Sequence, residues 1–164
     1  MTSNFYLTEL LEEFDGFIGV FARDNLPTIK PIQYGSLSLI VNTNSLSNNG
    51  GGHWLLISLI FNNNQVQLCE VFDSLNLGLE YFHEDIYVYI KRMRVETKFI
   101  NRQIQCVSSD FCGFFCVCRF LSIFVNEPLS LFLKKFNYIN LNDNNILVIR
   151  LIKKYLNAIN RKDK

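Results

Sequence analysis

Charge is scarce in this chain. Asp, Glu, Lys and Arg supply 19% of its 164 residues and balance to a net +1. A nearly neutral chain has no global field to draw it to nucleic acid. Apolar residues are not scarce, at 49% with 14% aromatic, which excludes a solvated, disordered polymer. No run of 18 uncharged apolar residues occurs, so a membrane span is not expected. The opening stretch MTSNFYLTELLEEF carries acids and lacks a basic region ahead of an apolar run, which argues against a secretory signal. Internal repeats and long linkers are also missing, and the length suits one domain over 1–164. Histidine is down to two residues and tryptophan to one. Cysteine is present in an odd number, five, with four of them between Cys106 and Cys118. That pattern implies free thiols in a reducing compartment rather than a disulfide framework.

What charge exists is uneven. Residues 150–164 hold six Lys/Arg against one Asp, a local +5, so the rest of the chain sums to −4.

The apolar pattern predicts an ordered series of elements. A short helix is expected over Thr8–Phe14 and a strand over FIGVFA, 17–22. A second strand spans Leu37–Val41 and leads into a polar, Gly-rich loop ending at Gly52. HWLLISLIF, from His53, has little alternation, as a strand buried on both faces should. A turn at Asn62–Asn64 returns the chain through VQLCEVFD, 66–73. A helix follows from Glu80 to Arg94, with apolar residues on one face, and TKFI, 97–100, can add a strand. CGFFCVCRFLSIFV, 112–125, is apolar nearly all round, broken only by Arg119 and Ser122, which describes a buried central helix. A short helix near 130–136 and a longer one over Asp143–Ile159, capped by Asn142 or Asp143, close the chain. The expected class is α+β, a central helix packed on a mostly antiparallel sheet.

Among the cysteines, Cys112 lies where a loop meets the buried helix. Unpaired N–H groups and the positive end of the dipole favour thiolate there. Gly113 beside it would let substrate backbone come close. Cys116 and Cys118 fall inside the helix and read as apolar core, while Cys69 and Cys106 read as inert thiols. A zinc site is disfavoured, because Cys118 would point away from the side shared by Cys112 and Cys116.

A nucleophilic cysteine needs a base. His53, between a Gly-rich loop and a buried strand, is held yet accessible, whereas His83 in YFHED suits a helix surface. Trp54 would wall the site. Asp73 ends the strand returning from the hairpin that His53 opens, so the two should be neighbours twenty positions apart. Glu70 competes but lies three residues back on the strand, which should point it to the opposite face, and it sits deeper. Gln105, with Gln103 as the alternative, can donate to an oxyanion alongside the Cys112 N–H.

GGHW (51–54), VFDSLN (71–76) and QCVSSDFCGFF (105–115) together resemble the adenain family, the adenovirus-type cysteine endopeptidases and related proteases of double-stranded DNA viruses and Polinton-like elements. FIGVFARDNLP (17–27) and LIVNTNSLSNNGGGHW (39–54) add local similarity, and the resemblance covers about residues 14–125. It implies a papain-like, adenain-like fold with His53 as base, Asp73 as acid, Gln105 in the oxyanion hole and Cys112 as nucleophile. Gly52, Trp54 and Gly113 would contact substrate. The implied function is cleavage of viral structural precursors during virion maturation, in the virion and the host nucleus or cytoplasm. No cofactor is implied for the chemistry. An activating viral peptide, tethered through a thiol such as Cys106, and DNA are implied partners. DNA would contact Arg150, Lys153, Lys154, Arg161, Lys162 and Lys164, although a solvated helix end accounts for these more simply. The wider clan includes peptidases that release ubiquitin-like modifiers of the SUMO type, and Asp73-Ser74 resembles that branch.

Overall fold

A computed structural model describes residues 3–48 and 52–161. The first helix, α1 (Asn4–Leu11), begins earlier than its apolar spacing suggests, because Ser3 caps it by accepting from the Tyr6 N–H at 3.3 Å. Leu7 and Leu11, one turn apart, are its buried residues.

Five strands follow in sequence order across one sheet: β1 (Phe17–Ala22), β2 (Tyr34–Asn42), β3 (Trp54–Asn62), β4 (Gln65–Phe72) and β5 (Glu96–Phe99). The β3–β4 hairpin closes through Asn63 and Asn64, both at positive φ (50° and 60°). That is the backbone a two-residue hairpin turn requires and asparagine tolerates. The central pairs β2–β3 and β3–β4 are antiparallel, but β1 joins β2 and β5 joins β4 in parallel. The sheet is therefore mixed, not mostly antiparallel. Both edge strands arrive through long connections, which permit the parallel direction.

The expected helix at Glu80–Arg94 is divided. A single 3₁₀ turn (Leu79–Tyr81) precedes α2 (Glu84–Arg92), with His83 as the N-cap. The central helix α3 (Cys112–Phe124) is followed by α4 (Leu129–Leu133) and α5 (Asp143–Asn160). Asn142 occupies the N-cap position of α5 but makes no side-chain cap.

Each face of the sheet carries its own core. On one side Ile40, Leu56 and Phe72 pack with α1, α3, α4 and α5. On the other, Leu39, Ile57 and Val71 pack with Ile86, Tyr89 and Ile90 of α2. Strand β3 is thus buried on both faces, which is why its sequence lacks alternation.

The two polar residues of α3 belong to a polar row across the sheet. Register pairs Ser38 with Ser58, Ser58 with Glu70, and Glu70 with Lys98. The Ser38 and Ser58 hydroxyls meet at 2.8 Å. Arg119 reaches down to Glu70 with two hydrogen bonds, at 2.7 and 2.8 Å. It also donates to the Ser122 hydroxyl and the Glu127 carbonyl, so the buried guanidinium is well supplied with acceptors. These bonds fix α3 against the sheet in one register.

Candidate active site

The β3–β4 hairpin brings together the two ends that matter. Register pairs Leu56 with Phe72, so the chain before Trp54 and the chain after Phe72 emerge side by side. His53 is fixed at its backbone by Thr43. The His53 N–H donates to the Thr43 hydroxyl and its carbonyl accepts from the Thr43 N–H, both at 2.9 Å. Gly52 precedes it, where a Cβ would stand 2.0 Å from Asn42 Oδ1. That oxygen already accepts from the Asn44 N–H at 2.8 Å, so only glycine fits without breaking a turn.

Asp73 is 5% exposed and held by its own turn. Oδ1 accepts from the Leu75 N–H at 2.9 Å and Oδ2 from the Leu77 N–H at 2.6 Å. Oδ1 also meets His53 Nε2 at 2.6 Å. That leaves Nδ1 as the nitrogen open to Cys112, which lines the same cleft. Burial works against the charged ring, but the Asp73 carboxylate and the neighbouring Cys112 side chain outweigh it and raise the His53 pKa to about 9. Imidazolium is then the dominant form at neutral pH.

Cys112 opens α3 and is 7% exposed. No side chain caps this helix end, so the first N–H groups remain available for an incoming oxygen. Gln105, 1% exposed, reaches the same cleft. Its Oε1 accepts from the Ser74 hydroxyl and its Nε2 donates to the Ser109 carbonyl, each at 2.6 Å. The cleft is about 250 Å³ and is lined by Gly52, His53, Trp54, Gln105 and Cys112 together with Leu75, Ser109 and Asp110.

The other candidates separate from this group. Gly113 is buried in the first turn of α3 and is not among the lining residues, because the helix turns it inward. Gln103 donates to the Gln105 carbonyl at 2.7 Å and so supports its neighbour instead of competing with it. Glu70 is occupied by Arg119. It shares the α3 side of the sheet, so that pairing and its depth remove it, not a change of face. His83 caps α2 at the surface, accepting from the Asp85 N–H at 3.2 Å. Burial pushes Cys69 up to about 12 and raises Cys116 and Cys118 as well, as expected of core thiols. Cys106 is half-buried, with Sγ 3.1 Å from the Ser108 hydroxyl. Hydrogen bonding to Ser108 lowers its pKa. Arg150, Lys153, Lys154 and Arg161 are exposed on and just beyond α5, while Lys162 and Lys164 lie outside the described residues, as does Gly51.

Several supports had no signal in the sequence. Thr43, Ser74 and Asn144 act across ten to forty positions, and Ser109 across four. The Asn144 amide donates to the Ile104 carbonyl at 2.8 Å, tying the loop before Cys112 to α5. Among the described residues no group of three or more His, Cys, Asp or Glu is placed to hold a metal, and no helix is long and apolar enough to cross a membrane.

No known family profile matches this chain, and no curated protein does. Its structure is similar to the central domain of the uncharacterized Lpg1148 protein from Legionella pneumophila. The TM-score is 0.53 at 13% identity, covering 94% of this chain and 97% of that one. At that identity the likeness is one of fold alone, an α+β arrangement.

Proposed function

We propose that this chain is a cysteine endopeptidase. The observation that carries the reading is one cleft lined by His53, Cys112 and Gln105, with Asp73 holding His53 Nε2 from behind at 2.6 Å. The Cys112 thiolate attacks the scissile carbonyl carbon and the C=O pair moves to oxygen. The Gln105 Nε2–H and the Cys112 N–H hold that oxyanion. As the tetrahedral species collapses, the C–N bond breaks and His53 Nδ1–H protonates the departing amine, leaving a thioester. Neutral His53 then takes a proton from water, whose oxygen attacks the thioester. Collapse expels the Cys112 thiolate, releases the acid and leaves His53 an imidazolium again.

Cys112→Ala should abolish peptide cleavage while the thermal unfolding midpoint stays near that of the wild type. Cleavage that survives the substitution would remove the reading. Gln105→Ala should lower kcat on the order of 100-fold, as loss of one oxyanion donor does.

The segments that resemble the adenain family favour viral structural precursors as the substrate class. Sites cut in a peptide library, with and without DNA, test this together with DNA activation. The simpler view of Arg150, Lys153, Lys154 and Arg161 as a solvated surface expects DNA to change nothing. A second reading, removal of a ubiquitin-like modifier, is favoured by the acid being Asp73 followed by Ser74. Rapid capture of Cys112 by a modifier carrying a C-terminal electrophile would select it.

A further inference from the structure

The Asp73-Ser74 dipeptide touches both halves of the site. Asp73 holds the base, and Ser74 holds Gln105. The Ser74 carbonyl accepts from the N–H groups of Ile104 and Gln105, each at 3.0 Å, so backbone as well as side chain binds this segment to the loop carrying Gln105. Ser74 is fully buried.

Donor chemistry decides which way the Gln105 amide faces. A carbonyl oxygen can only accept, so the atom 2.6 Å from the Ser109 carbonyl is the NH₂ nitrogen. The atom 2.6 Å from the Ser74 hydroxyl is then the amide oxygen, and the hydroxyl donates to it. One Nε2–H goes to Ser109. The second has no acceptor among the described residues and is the one left for the cleft. Without the Ser74 hydroxyl, the amide oxygen would be buried without its donor, and the plane of the amide would be free to rotate.

Resting on the peptidase reading above, we propose that Ser74 is a positioning residue for the oxyanion donor: its hydroxyl fixes the Gln105 amide so that one Nε2–H points at the developing oxyanion. It acts through Gln105 and does not touch the thiol or the imidazole in this role.

The test separates carbonyl chemistry from thiol reactivity. Ser74→Ala should lower kcat about tenfold with KM changed less than about twofold, the pattern of a contact made in the transition state. Inhibition by a peptide aldehyde, whose hemithioacetal presents an oxyanion, should weaken by a similar factor. Alkylation of Cys112 by iodoacetamide develops no oxyanion and should keep its wild-type rate. In a Gln105→Ala background, Ser74→Ala should cost nothing further. Ser74→Cys, close in shape but a weak donor, should fall between wild type and Ser74→Ala, and it serves if the alanine variant folds poorly. Wild-type kcat in both Ser74 variants overturns the positioning role alone. So does a fall in alkylation that parallels the fall in kcat, since that marks general damage to the site. A wild type that cleaves no peptide, or a Cys112→Ala variant that still cleaves, overturns the peptidase reading and this role with it.

Discussion

At the scale of single residues, charge on His53 governs behaviour with pH. Its folded pKa of about 9 lies above the ordinary 6.5. A base whose pKa is raised by folding stabilises the fold fully below its unfolded value, and that contribution disappears as pH rises through the folded value. Urea unfolding followed from pH 5 to pH 10 should therefore show stability declining between about pH 6.5 and 9 and levelling above, with that decline absent in His53→Ala. On the peptidase reading, kcat/KM should fall on the alkaline side with an apparent pKa near 9, as the acid that protonates the leaving amine is lost. An alkaline limb that begins near pH 7 would contradict this. Gly52 is the second residue with a local consequence. Gly52→Ala sets a methyl against Asn42 Oδ1, so on the same peptidase reading kcat/KM should drop about tenfold through displacement of His53. Asn42→Ala in the same chain should recover part of it by removing the obstacle. These two effects are legible only in the folded structure, although His53 itself is identifiable from its place between loop and strand.

At the scale of elements, α3 carries both Cys112 and the ion pair that seats the helix. The Glu70–Arg119 pair joins the helix to β4 two turns beyond Cys112. Removing one member leaves a buried charge, so Glu70→Ala should cost about 3–5 kcal/mol in urea unfolding. Glu70→Leu combined with Arg119→Met should recover most of that loss, because an apolar pair of similar size needs no partner. A single variant as stable as the wild type would show that the pair does not set the seating of the helix. Apolar periodicity predicted α3, β3 and the β3–β4 hairpin closely, since burial on all sides and two left-handed asparagines leave strong marks. It did not predict the parallel edges of the sheet. Pairing direction depends on how a connection travels, and neither β1 nor β5 encodes that in its own residues. The break at His83 was missed for a related reason: the residues before and after it share a helical apolar spacing, and the cap is a single residue.

At the scale of the whole molecule, the fold sorts five cysteines into distinct environments. Cys69, Cys116 and Cys118 lie within the cores, Cys112 lines the cleft, and Cys106 is half-buried in the loop before α3. Iodoacetamide applied to the native protein, followed by peptide mass mapping, should label Cys112 and Cys106 and leave the other three until urea is added. Equal labelling of all five in the native state would deny that sorting. Asn144 belongs to this scale too, since it joins α5 to the loop before Cys112. Asn144→Ala strips donors from the Ile104 and Asn137 carbonyls and should cost about 1–3 kcal/mol in urea unfolding.

The sequence by itself determined the helix that bears Cys112, the hairpin that joins His53 to Asp73, and the polar residues worth bringing together. Each is written in local periodicity or in neighbouring strands of one hairpin, so no distant contact is needed to read it. Only the tertiary structure decided how these groups are aimed. The His53 nitrogen taken by Asp73, the Ser74 hydroxyl that orients the Gln105 amide, and the exclusion of Glu70 by Arg119 come from pairs twenty to forty-nine positions apart. Hydrogen-bond direction is a property of two groups in space, and neither group's position in the sequence states it.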